Sequence, residues 1–364
     1  MVRSLIEGLE NSDRLFDLQR RVNRFPEDLE DFFKHMLYSL DPVYRQQASR
    51  AFAIALCEDR PLPLLAYWFL DIEELDHDFF ITSRDCPTSP SRAAQCSEEM
   101  KRRINGRSKG LLEVSFQKYD HYLLEYQVEF LHRTVKDFLL TKDVQNLLLE
   151  WIEPGFNAPA ILCRIYVMFV ECCGFHGDNI IMRSTINDLM RGFASNALRF
   201  EEEQQSSPSQ LLLDFGTTAR NLVQSIPYTE SNFLANKLCP SNGTLLSTLI
   251  DFAIEVGLYH SVQYLFNSYP GRLSKKDSER FLKSALEPAP NNWLRNRPNL
   301  KMTTLLLEKG ADPNQAWNQF MGSAVNLHPD SKALDEYLSG QEAEELLQAV
   351  RSKQSVIKRL FSWV

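Results

Sequence analysis

The sequence predicts a mainly helical protein: a first helical domain carrying one β-hairpin, a second helical domain, and a helical repeat tail. Three observations predict it. Apolar residues recur at three- and four-residue spacing through most of the 364 residues. The 14 Gly and 17 Pro make up about 9% of the chain, against an average near 12%, which argues against a fibrous chain or a barrel of tight turns. Two neighbouring runs alternate with a period of two, as half-buried strands do. A hydrophobic share of 44% is enough for substantial cores and excludes disorder throughout. The net charge of −8 gives no global positive field for nucleic acid.

Residues 1–25 place Leu5, Leu9, Leu15, Leu18 and Val22 amid charges, which predicts a helical segment that looks cut at its start. The 26–142 domain opens with Pro26-Glu27-Asp28 at a first helical turn, followed by Leu29, Phe32, Phe33, Met36, Leu37 and Leu40 at helical spacing. Asp41-Pro42 repeats the signal, and Tyr44, Ala48, Phe52 and Leu56 carry a second helix to Cys57. Pro61 and Pro63 precede a third, Leu64 to Leu70. Residues 82–97 are rich in Ser, Thr and Pro and read as an exposed loop before a basic helix, Glu98 to Ser108. Leu112, Val114 and Phe116 then alternate with Glu113, Ser115 and Gln117, as Tyr126, Val128 and Phe130 do with Glu125, Gln127 and Glu129, which predicts the hairpin. Helices, a hairpin and the helix of FLHRTVKDFLL are the element order of a winged-helix-like domain.

A helical domain follows at 143–200, with Trp151 and the run Ile161 to Val170 as core. That run contains Arg164 and ends at Glu171, short of the roughly 20 residues a bilayer span needs, so it reads as a buried helix. Residues 201–240 are a connector with a short helix, solvated at EEEQQSSPSQ. In 241–340 two segments look like ankyrin repeats: Asn242 to Leu246, leading to Gly257 and then Val262, Tyr264, Leu265 and Phe266, and the end LLLEKGADPN at 305–314. A helix stopped by Gly and followed by an Asp-x-Asn turn is what that repeat needs. The spacing exceeds the repeat length, which places an insertion around Glu287 to Pro298. Residues 341–364 form an amphipathic C-terminal helix, acidic early and basic late.

Chemistry is sparse in the sequence. Neither a phosphate loop nor GxGxxG, GxSxG or HExxH occurs, so no enzyme activity and no cofactor is expected. Seven cysteines without zinc spacing, and an acidic residue by position 7 where a signal core would be apolar, predict a cytoplasmic, reducing setting without membrane contact. Cys172 and Cys173 with His176 and Asp178 would make a poor metal site, because adjacent cysteines cannot easily face one ion; they read as buried thiols. Lys101, Arg102, Arg103, Arg107 and Lys109 lie where a DNA-binding winged helix puts its recognition helix. Docking on an acidic protein surface is the favoured reading of these bases, since the chain is acidic and the run has no aromatic or amide residue beyond Asn105 to read base edges. His132, at a change from strand to helix, is a structural residue or an anion contact.

Four segments carry a family resemblance: VRSLIEGLENSDRLFDLQRRV (2–22), FPEDLEDFFKHMLYSLDP (25–42), RRINGRSKGLLEV (102–114) and VEFLHRTVKDFLL (128–140). Together they resemble the region after the NACHT nucleotide-binding domain in large fungal STAND-type NTPases, relatives of animal NOD-like receptors. The ankyrin-like tail is similar to the sensor end of many such proteins. The resemblance implies a non-catalytic interaction and regulatory module of an NLR-like signalling protein, whose partners are proteins, a NACHT domain in cis or trans among them. It also implies that His132 touches the phosphate of a nucleotide held by that domain. The phosphate loop and magnesium-binding acids are missing from this sequence, so ATP hydrolysis is not expected of it, and its start at MVRSL reads as that of a truncated product, an alternative start or a fragment. A winged-helix DNA-binding regulator is the alternative.

Overall fold

Phe33 and Leu37, one helical turn apart, are the buried residues of α1 (Leu29–Tyr38), and Glu30 and Asp31 lie in its first turn, where the helix dipole favours negative charge. The fold is that of a computed structural model, which describes residues 12–17, 29–75, 87–118, 121–173, 179–224, 245–268, 274–286 and 299–327, with positions 344, 348, 350 and 351. The chain divides into two compact units, Met1–Thr82 with Ser89–Ala158 and Ser83–Thr88 with Pro159–Val364.

In the first unit the Asp41 carboxylate accepts from the Val43 N–H and caps a short 3-10 turn at Pro42–Tyr44. This turn leads into α2 (Arg45–Cys57), which buries Ala48, Phe52 and Ile54. Strand β1 (Leu62–Pro63) and α3 (Leu64–Leu75) follow. Residues 90–97 are helical, not loop: α4 runs Pro90–Ser108, because Ser89 accepts from the Arg92 N–H and Pro90 supplies a preset first-turn φ. Ala93, Cys96, Met100 and Ile104 are its buried stripe.

Strands β2 (Leu112–Phe116) and β3 (Tyr126–Phe130) pair antiparallel, Val114 opposite Val128, as their alternation predicts. The sheet has a third strand that the expected single hairpin lacks. Leu62 pairs with Val128 and Pro63 with Gln127, giving the order β1-β3-β2. Pro63 has no N–H to donate, and an edge strand tolerates that. Helices α5 (Arg133–Leu139) and α6 (Lys142–Trp151) complete the unit, α5 packing on α1 and β3, and α6 on α2 and α5.

From Pro159 the second unit contains nearly all of α7 (Ala158–Cys172), in which Ile161 to Val170 are buried apart from Arg164, as the apolar run predicts. Phe193 of α8 (Asn179–Gln204) stacks on Phe215 of α9 (Ser209–Gln224) with ring centroids 4.0 Å apart, and Phe215 lies 6.5 Å from Phe252 of α10 (Leu245–Val256). A Cβ at Gly216 would stand 2.1 Å from a methyl carbon of Leu249, itself fully buried. The branched side chain of Gly216→Val is therefore expected to overpack the α9–α10 contact and cost about 1–3 kcal/mol, read as a lower urea midpoint.

Residues 201–204 belong to α8 and not to a solvated connector. Glu201 is buried and accepts from the His260 N–H (2.9 Å), the Ser261 N–H (2.7 Å) and the Ser261 hydroxyl (2.6 Å), which caps α11 (Tyr259–Ser268). Burial pushes its carboxyl pKa up, against the lowering effect of those hydrogen bonds. Helix α12 (Lys275–Leu286) has no counterpart in the expected elements, although Ser274-x-x-Asp277 is a readable capping signal: the Ser274 hydroxyl accepts from the Asp277 N–H at 3.1 Å.

Gly257 at φ +99 ends α10 and Gly310 at φ +100 follows α13 (Leu300–Glu308), both in the left-handed region where Gly is unstrained. The Ala311 N–H donates to the Leu306 carbonyl, and the Asn314 N–H to the Asp312 side chain, before α14 (Pro313–Leu327). Most of 1–25, Pro26, His176, Asp178, Asn242 to Thr244, the 287–298 insertion and nearly all of the 341–364 helix lie outside the described residues. Among the described residues no helix is long and apolar enough to cross a membrane.

Candidate functional site

Four of the five bases singled out in the sequence sit on α4, whose apolar stripe fixes which way each one faces, and Lys109 follows as its C-cap. Arg103 and Arg107 are one turn apart on the flank beside α3, and both reach Asp71. Arg103 Nη1 donates to Asp71 Oδ2 at 3.0 Å, and Arg107 Nη1 to Oδ1 at 2.6 Å. The Asp71 side chain is 13% exposed, so one carboxylate serves two guanidinium groups in a half-dry setting. Arg103 also lies over the Trp68 ring, 5.1 Å from its centroid, and 3.7 Å from Glu99. Lys101 Nζ donates to Glu98 at 2.6 Å and sits 3.5 Å from the centre of the Tyr126 ring on β3. Arg102 and Lys109 are exposed. Lys109 takes φ 52 at the end of α4, ahead of Gly110 at φ 85.

His132 is the N-cap of α5. Its Nδ1 accepts from the Thr134 N–H at 3.3 Å and lies 2.9 Å from the Thr134 hydroxyl. That use of Nδ1 places the ring proton of the neutral side chain on Nε2, the nitrogen outside the cap. The Leu131 N–H donates to the Leu111 carbonyl at 3.1 Å, so the chain leaving β3 into His132 passes the Lys109–Gly110 turn that ends α4. Among the described residues no hydrogen bond or ion pair joins His132 to the five bases.

Asp71, the acid that organises these bases, carries no signal in the sequence beyond its place in the run WFLDIEEL. Arg50 of α2 likewise carries no signal in the sequence. It is 2% exposed and binds Glu73 of α3 at 2.5 Å, the Leu70 carbonyl at 3.4 Å and Glu153 beyond α6, with its guanidinium 5.1 Å from the centre of the Phe156 ring. Gln46 also donates to Glu153, at 3.0 Å.

Between α2, α3 and α4 lies a cavity of about 10 Å³, lined in part by Ala48, Tyr67, Met100 and Arg107; that is space for a single water and far too little for a nucleotide. No group of three or more His, Cys, Asp and Glu side chains that could hold a metal occurs among the described residues. Burial pushes the Cys173 thiol up to about 12, which makes it unreactive. Its neighbour Cys172 is disulfide-bonded, so the pair are not two thiols as expected.

No curated protein and no solved structure matches the chain. Residues 39–179, from the end of α1 into the start of the second unit, match a family described as a domain of unknown function, DUF7791.

Proposed function

We propose that the chain is a non-catalytic interaction and regulatory module of an NLR-like system, docking on proteins, with a NACHT nucleotide-binding domain in cis or trans as the first partner. The observation that carries this reading is Asp71. By engaging Arg103 and Arg107 it commits the strongest cations of α4 to holding α4 on α3, whereas a DNA reader needs them for phosphates. In this reading the first unit is a winged-helix-like domain: α4 precedes the β2–β3 hairpin, and α5 follows it. The helices ended by Gly257 and Gly310 are degenerate ankyrin-like units, and His132 is the residue next to the partner's nucleotide. Arg102 on α4 and Lys109 at its C-terminal turn remain exposed for docking.

Three titrations test it. Duplex DNA in about 150 mM salt is expected to bind weakly and without sequence preference, and ATP no tighter than about millimolar. A NACHT domain from the resembling family is expected to bind, and charge reversal of Arg102 and Lys109 to weaken it. A nanomolar, sequence-selective DNA shift lost on the same reversal would establish the DNA-binding alternative, and micromolar ATP binding to the chain by itself would overturn the non-catalytic reading.

A further inference from the structure

The β2 edge of the small sheet is open among the described residues, and its chemistry specifies what can close it. Antiparallel pairing alternates residues that bond across the ladder with residues whose backbone groups face outward. The Gln117 N–H donates to Glu125 O and the Leu131 N–H to Leu111 O, which fixes 111, 113, 115 and 117 as the residues bonded to β3. Leu112, Val114 and Phe116 therefore direct N–H and C=O away from the sheet. The Ser108 hydroxyl occupies both groups of Leu112, accepting from its N–H at 3.4 Å and donating to its carbonyl at 3.3 Å. Val114 and Phe116 are left, alternate positions offering two donors and two acceptors, the minimum on which an added strand can seat.

The two faces of this edge differ. On one, Val114 and a Phe116 ring that is 61% exposed continue the apolar side of the sheet, with Phe116 packed 5.3 Å from Tyr126. On the other, exposed Glu113 stands opposite Glu129, with Glu125 further along β3; the Ser115 hydroxyl and the Gln117 amide donate to Glu129 at 2.7 and 3.1 Å but bring no positive charge. We propose that this edge binds an extended polypeptide segment in which apolar residues alternate with Lys or Arg. Its apolar side chains lie beside Val114 and Phe116, and its bases face Glu113 and Glu129. A second copy of the chain is the poorer occupant, since it would bring its own Glu113 and Glu129 to the same face of the joined sheet and adds a body of net charge −8. This deepens the reading of the chain as an interaction module. It uses a surface distinct from Arg102 and Lys109 and is independent of the NACHT resemblance.

The test is anisotropy of a labelled peptide, Lys-Val-Lys-Val-Lys-Val-Lys, titrated with the full chain, beside the same peptide with Glu for Lys. The Lys peptide is expected to bind at least tenfold tighter than the Glu peptide. Val114→Pro deletes one outward N–H and no ladder bond to β3, and an edge strand accepts Pro, so it is expected to weaken the Lys peptide at least tenfold with the circular dichroism melt retained. Glu113→Lys, which leaves the backbone edge untouched, is expected to reverse the preference toward the Glu peptide and decides the matter if Val114→Pro does not fold. Absence of binding, equal binding of both peptides, or binding unchanged by the variants overturns the proposal. A dimer in sedimentation velocity that Val114→Pro abolishes also overturns it, in favour of a second copy. Loss of NACHT binding on reversal of Arg102 and Lys109, with peptide binding intact, separates the two surfaces.

Discussion

Arg50→Ala is expected to destabilise the first unit by about 3–5 kcal/mol, because it strips a buried carboxylate of its counter-ion. Glu73 has a side chain only 3% exposed and cannot recover its cost by turning to water, whereas Glu153 at 32% can. The two acids should therefore respond differently: Glu153→Gln costs less than Glu73→Gln. Arg50→Lys recovers part of the loss, since one ammonium cannot repeat a guanidinium's simultaneous contacts with two carboxylates and the Leu70 carbonyl. Replacing the pair together, as Arg50→Met with Glu73→Leu, should come close to the parent, because the desolvation penalty leaves with the charges. Urea denaturation of the five variants checks the order. An Arg50→Ala loss below about 1 kcal/mol would place the effect in the surface ion-pair range and remove the triad as a source of stability.

Leu306→Asp should be as severe in the second unit. Leu306 is fully buried between Leu305 and Leu307, each 2% exposed, and its carbonyl accepts the Ala311 N–H that turns the chain after α13. A carboxylate there would lose its hydration in an apolar core, and the expected cost is about 4 kcal/mol or more. Partial unfolding of the 241–340 region should follow, while 26–140 retains its transition. Lys309→Ala, three residues on, removes an exposed contact to Asn267 (2.7 Å) and should shift stability by less than about 0.5 kcal/mol. A melting profile unchanged by Leu306→Asp would mean that α13 does not pack as described.

What the sequence disclosed was local. The buried α7, the period-two strands and the Gly stops at 257 and 310 each leave their whole signal within a few residues. The start of α4 was equally local but masked by composition: Ser89-Pro90 is a cap followed by a first-turn Pro, lost among the Ser, Thr and Pro around it. Strand β1 has two residues, one of them Pro63, so it shows no alternation and exists only because β3 offers an edge. Glu201 looks like its exposed neighbours Glu202 and Glu203, and only the approach of the α11 amide groups distinguishes it. The partners of Arg50 lie 23 and 103 residues away, and no periodicity carries information over such distances. The same holds for the candidate site: the bases of α4 were legible as a run, but which of them Asp71 engages depends on how α3 and α4 cross.

The long separation between Arg50 and Glu153 also sets a clock on biosynthesis. Translation at about 5–20 residues per second delivers the 103 intervening residues in roughly 5–20 s. Glu73, only 23 residues on, can pair the guanidinium early, but the second carboxylate arrives only at the end of that interval. The layer of α2 and α3 can therefore pair its charges before it is covered, and a stalled chain ending ahead of α6 would present to chaperones the side of α2 on which α6 packs.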